Sequence, residues 1–136
     1  MHKKDRYIYP AIFDYGSDGI SVEFPDLPGC FTCGDTEEEA FQMAKEAMAL
    51  HLYGLEQENE EIPQPSKVSE IQTEKHQVVV FVEVWMPPFR HEMENKAVKK
   101  TLTIPKWLDD LAKEHNMNYS QILQEALKKH LGATDR

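Results

Sequence analysis

Charge changes sign along this chain, and that division constrains the fold more than any single motif. Residues 1–95 carry 7 Lys plus Arg against 19 Asp plus Glu, a net of −12, whereas residues 96–136 carry 8 against 5, a net of +3. The two parts sum to −9 over 136 residues, a length that suits one medium domain or two small ones. A sign change of this kind predicts two modules with different partners. The boundary is expected near Trp85-Met86-Pro87-Pro88-Phe89-Arg90, where two prolines oppose regular hydrogen bonding. The expected division is residues 1–90, a linker at 91–96, and residues 97–136. Hydrophobic residues make up 40%, which is enough for a packed core. No apolar run approaches the ~20 residues of a membrane span, and the basic start lacks an apolar signal segment. With only two cysteines, a cytoplasmic location is the simplest expectation.

In the first module Tyr7–Asp14 is β-prone, Asp14–Gly19 is dense in turn formers, and Ile20–Phe24 alternates again, so the pair reads as a hairpin. A turn at Pro25–Gly29 leads to a short strand, Cys30–Gly34. Asp35-Thr36 before three glutamates marks a helix start, and Ala40, Phe41, Ala44, Ala47, Met48, Leu52 and Leu55 recur at helical spacing to about Glu58. The run Gln77–Trp85 is nearly all apolar and predicts a strand buried on both faces. The order β-β-β-α-β is an α+β layer, helix against sheet.

Several segments carry a specific resemblance. They are Pro25-Asp26-Leu27-Pro28-Gly29-Cys30-Phe31-Thr32-Cys33-Gly34-Asp35-Thr36, then Glu38-Glu39-Ala40, and later Ile62-Pro63-Gln64-Pro65-Ser66. In this order they resemble the HicB antitoxin family over residues 6–85. The resemblance implies a partial ribonuclease H-like fold. It also implies a partner, a HicA-like toxin: small, basic, RNA-cleaving and using a catalytic histidine.

A nuclease reading would need carboxylates converging on divalent metal. Asp14, Asp18 and Asp26 fall in turn sequences, Glu23 is expected to face solvent, and Asp35 precedes the helix. The acidic surface is better suited to meet a basic protein. Cys30 and Cys33 have C-x-x-C spacing, but they precede the helix and face opposite sides of a strand. No second C-x-x-C exists, and His2, His51, His76, His91, His115 and His130 are scattered. Neither metal nor cofactor is expected, and no catalytic residue is assigned.

In the second module Ala97–Ile104 alternates and stops at Pro105. Val98, Leu102 and Ile104 share one face with Lys100 at its edge; Lys99, Thr101 and Thr103 share the other. Trp107, Leu108, Leu111 and Ala112 make one amphipathic helix. Asn118 and Gln121 suggest a capping-box variant at the start of a second, striped by Ile122, Leu123, Ala126, Leu127 and Leu131 and stopped by Gly132. One strand and two helices bury too little alone, and a second copy of the strand would pair the first. This β-α-α pattern is similar to the ribbon-helix-helix family of Arc and MetJ type, whose ribbon enters the major groove. The resemblance implies base contacts from Lys99, Thr101 and Thr103 and phosphate contacts at Asn118 and Ser120. It also implies a dimer core of Leu102, Ile104, Trp107, Leu111, Ile122, Leu123 and Leu127.

The sequence thus points to a non-enzymatic antitoxin and autorepressor. Its expected partners are a HicA-like toxin, operator DNA and itself, as a homodimer or a higher even oligomer. Two alternatives remain at this level: a DNA-binding regulator sensing another ligand, and a metal-dependent ribonuclease.

Overall fold

The computed structural model describes residues 3–133; His2 and the chain ends assigned above to the two modules lie outside the described residues. The chain divides into two compact units between Lys96 and Ala97.

The first unit is a four-stranded antiparallel sheet with one long helix on one face. Its strands are β1 (Arg6–Gly16), β2 (Gly19–Glu23), β3 (Phe31–Gly34) and β4 (Gln77–Trp85), in spatial order β3-β2-β1-β4. The hairpin is closed by Ser17-Asp18, with Gly16 opposite Gly19. Helix α1 (Glu37–Gln57) begins where expected: Thr36 Oγ1 accepts the Glu39 N–H at 3.1 Å, and three glutamates occupy the first turn. Its stripe of Ala40, Ala44, Met48 and Leu52 is fully buried against Tyr7, Tyr9, Ala11 and Phe13 of β1, Val22 of β2, and Val82 and Val84 of β4. The helix begins hard against β3. A Cβ at Gly34 would lie 2.5 Å from the Ala40 nitrogen, so no larger residue fits there.

Strand β4 departs from expectation. It occupies a sheet edge, and only Val82 and Val84 are buried; Val78, Phe81 and Trp85 are 50%, 62% and 51% exposed. The continuous apolar run therefore does not reflect burial on both faces: among the described residues of this unit, α1 packs on one face only.

The expected break at Met86–Arg90 is also corrected. Residues Met86–Glu94 form helix α2, so the linker expected at 91–96 is helical through Glu94. Pro87 and Pro88 sit in its first turn, where a missing N–H costs no hydrogen bond. Phe89 packs edge-on against Tyr53 of α1, ring centroids 5.9 Å apart. Arg90 clasps the C-terminal end of α1: Nε and Nη2 donate to the Glu56 carboxylate at 3.0 and 2.7 Å, and Nη1 donates to Asp5 at 2.9 Å. The Glu56 side chain is 1% exposed and that of Arg90 15%.

The second unit contains α3 (Lys106–Glu114) and α4 (Tyr119–Leu131). Asn116, at φ 53°, lies in the turn between them, and Gly132, at φ 71°, closes α4 in the left-handed region. Among the described residues no helix is long and apolar enough to cross a membrane.

Removing one member of a buried ion pair strands the other charge, which typically costs about 3–5 kcal/mol. Arg90→Met is accordingly expected to lower unfolding stability by roughly that amount. Arg90→Met combined with Glu56→Leu should recover most of the loss. Urea denaturation of the three proteins measures both steps.

Candidate functional site

The motif segments of the first unit meet in space. Asp26, in the turn after β2, accepts from the Ser66 N–H at 2.9 Å and from its hydroxyl at 2.5 Å, across 40 residues of sequence. The Tyr9 hydroxyl donates to the Pro63 carbonyl. Burial pushes the Tyr9 phenol up to about 12, with the nearby Tyr7 and Asp26 adding to it. The Pro25–Gly29 turn and the Ile62–Ser66 loop are therefore parts of one structural tie.

The carboxylates do not converge. Asp26 is engaged by Ser66, Asp14 accepts from the Gln77 side chain at 2.9 Å and lies 3.4 Å from His76 Nε2, and Glu23 faces outward between buried Val22 and Phe24. Among the described residues no three His, Cys, Asp or Glu side chains are placed to hold a metal ion. Cys30 is buried and Cys33 exposed, both as free thiols, and burial pushes the Cys30 thiol up to about 11.

In the second unit residues 97–105 form neither strand nor helix. The strand expected there is thus absent from the single chain, because β structure requires a hydrogen-bonding partner that this unit's two helices do not supply. Lys99, Thr101 and Thr103 are all exposed. Asn118 caps α4, its side chain accepting the Gln121 N–H at 3.0 Å. The reciprocal half of a capping box is missing, since the Gln121 amide reaches Glu125 instead. Ser120 lies in the first turn of α4, where its hydroxyl accepts from the Gln124 amide at 3.0 Å. The turn between the helices is fixed by the Tyr119 hydroxyl, which donates to the Asp109 carboxylate at 2.5 Å. That bond and Lys113 hold the Asp109 carboxyl below its usual range.

The side chains named as a shared core remain uncovered in this unit. Leu102 is 63%, Trp107 67% and Leu127 51% exposed; Ile104, Leu111 and Ile122 are exposed and Leu123 half-buried. Sequence reasoning found this apolar stripe through its helical spacing. It missed Arg90 and Glu56, which no short-range pattern links.

The chain is thus an acidic α+β unit followed by a basic segment with two helices and an exposed apolar stripe. Residues 9–127 match the family model described as HicB-like antitoxin of bacterial toxin-antitoxin system. A 14.9 kDa protein of Haemophilus phage HP1, described as uncharacterized, is 35% identical over 72% of this chain and 73% of its own. Antitoxin HicB 2 of Photorhabdus laumondii is 40% identical over 52% of this chain and 49% of its own. A chain from a toxin-antitoxin complex of Streptococcus pneumoniae superposes with a TM-score of 0.59 at 28% identity, covering 92% of this chain and 99% of that one. The chain belongs to the HicB-like antitoxins of bacterial toxin-antitoxin systems.

The opposite environments of the two cysteines give a direct check. In native protein near pH 8 a thiol reagent should label Cys33 within minutes and Cys30 only on unfolding, as mass spectrometry of the labelled peptides would register.

Proposed function

We propose that this antitoxin binds and neutralises a HicA-like RNA-cleaving toxin through its acidic first unit, and represses its own operon through its basic second unit. In this reading it is not an enzyme. The observation that carries the proposal is the pairing of a −12 segment, folded as a one-sided α+β layer, with a +3 segment whose apolar stripe is exposed. Acidic surface meets a basic toxin and keeps nucleic acid away; basic surface suits phosphate.

The second unit is read as half of a ribbon-helix-helix. Residues 97–104 of two copies pair antiparallel, burying Leu102 and Ile104 with Trp107, Leu111, Ile122, Leu123 and Leu127, and leaving Lys99, Thr101 and Thr103 on the outer face of the ribbon. Lysine donates to guanine O6 and N7, and threonine offers a hydroxyl and a methyl to base edges. Free N–H groups at the start of α4, beside Asn118 and Ser120, favour a phosphate. Exposure of the stripe in the isolated unit supports a dimer, and the charge of the segment supports DNA as the ligand.

Co-expression with the product of the adjacent small gene tests the antitoxin role. Growth rescue together with co-purification is the expected outcome; rescue without any complex would mean that neutralisation works by another route. Operator titrations at fixed salt test the second role. Thr101→Ala should lose about 1–3 kcal/mol of operator preference per contact while toxin binding is retained. Ser120→Asp should weaken operator and scrambled duplex alike. Unchanged preference after replacing Lys99, Thr101 and Thr103 together would exclude the ribbon as the reader. In sedimentation, Leu102→Lys should dissociate the dimer, and a folded Leu102→Lys dimer would place the strand pairing elsewhere.

A further inference from the structure

Strand β4 is an outer strand of the sheet, and its pairing with β1 shows which of its backbone groups are left over. The Tyr15 N–H donates to the His76 carbonyl at 3.0 Å and the Met86 N–H to the Asp5 carbonyl at 2.7 Å, just outside the two ends of the β1–β4 register. In an antiparallel pair, residues that exchange hydrogen bonds alternate with residues that do not. Val78, Val80, Val82 and Val84 therefore turn their backbone groups to β1. Val79, Phe81 and Glu83 turn theirs outward, where no strand lies among the described residues of this unit.

Natural sheets blunt such an edge by shortening it, bulging it, or placing Pro or Lys along it. Strand β4 has none of these devices. It runs for 9 residues, keeps register with β1 throughout, and carries Glu83 as its one charge. That charge is already met by Arg6, whose Nε lies 3.2 Å away. The strand is also apolar and open on both faces. Val78 is 50% exposed on the α1 side, and Phe81 and Trp85 are 62% and 51% exposed on the other. A continuous apolar run of this kind belongs inside a sheet rather than at its margin.

A second copy supplies the complement by symmetry, since a two-fold contact sets one patch against itself. With two β4 strands antiparallel about Phe81, Phe81 faces Phe81, and Val79 of each copy faces Glu83 of the other. Every outward N–H then meets an outward carbonyl, and the facing aromatic rings pack across the join. A register centred on Glu83 would instead set two carboxylates opposite one another, which is destabilising. A nucleic acid has no strand to add and would bring phosphates to a segment of net charge −12. We infer that the outer edge of β4 is a two-fold interface between copies of this chain, in which their sheets join into one. The inference does not depend on the toxin or DNA readings above. Net charge opposes the contact, so it strengthens as salt screens that charge.

The experiment is thiol linking of the full chain under mild oxidation, with Cys33→Ser throughout because Cys33 is exposed and Cys30 is not. In the paired sheet the two copies of position 81 have Cα atoms about 5.5 Å apart, within disulfide reach. The two copies of position 83 lie roughly 13 Å apart, beyond it. Phe81→Cys is expected to form a covalent dimer at least about tenfold faster than Glu83→Cys, or than Leu50→Cys at a 55% exposed position on α1. Adding Val79→Pro removes an outward N–H that β1 does not use, so the fold should survive, as a thermal melt checks, while linking falls to the control rate. Linking should also quicken as salt rises. Linking of Phe81→Cys no faster than Leu50→Cys overturns the inference. So does equal linking of Glu83→Cys, which the register forbids, or linking that survives Val79→Pro in a folded chain. If linking is absent and Val79→Pro loses binding to the product of the adjacent small gene, the edge belongs to that protein and the inference falls.

Discussion

One helix against one face of one sheet is the constraint on which the first unit depends. Ala40 and Ala44 bring α1 close enough to β3 that Gly34 cannot carry a side chain, and Met48 and Leu52 continue the contact across β1 and β4. This burial uses every other residue of each strand, because side chains alternate across a sheet. The remaining residues lie on a face that, among the described residues of this unit, has no second layer. Within this unit the sheet is thus packed on one face by α1, and the alternate residues of its strands lie on the other.

The Arg90–Glu56 pair extends that layer beyond the sheet. Burying a glutamate is expensive unless a bidentate cation meets it, and Arg90 supplies the planar fork that does so. By reaching Asp5 as well, Arg90 joins the chain before β1, the end of α1 and the helix that follows β4. Helix α2 belongs to the first unit for this reason. The unit ends where these contacts end, at Lys96 rather than at the prolines.

The strands and α1 were legible because their evidence is local. Alternation in Ile20–Phe24, the Thr36 cap and the alanine-rich stripe each act within a few residues, and their bounds came out within one or two positions. What was misread depends on distant partners. The run Gln77–Trp85 looks doubly buried from composition, yet the strand order puts it at an edge, which no local pattern encodes. Pro87 and Pro88 look like a break until their position in the first turn of a helix makes their missing donors harmless. Residues 97–104 alternate as a strand does, but a lone chain offers them no ladder. The Asp26–Ser66 tie shows the other side of this limit. Its two segments were conspicuous in sequence, while the hydrogen bonds that join them span 40 residues and appear only in three dimensions.

The two units leave apolar surface uncovered in chemically different settings. On the sheet the open residues include Phe81, Trp85 and Ile8, with the Arg6–Glu83 pair beside them. In the second unit they are Leu102, Trp107 and Leu127, on a segment of net charge +3. Like-charge repulsion across an interface is small between two +3 segments and large between two −12 segments. Electrostatics therefore opposes contact between two copies far less in the second segment than in the first. Residues of opposite sign could not be exchanged between the units without reversing that order. The charge division in the sequence thus sets the two exposed apolar surfaces in electrostatically opposite surroundings.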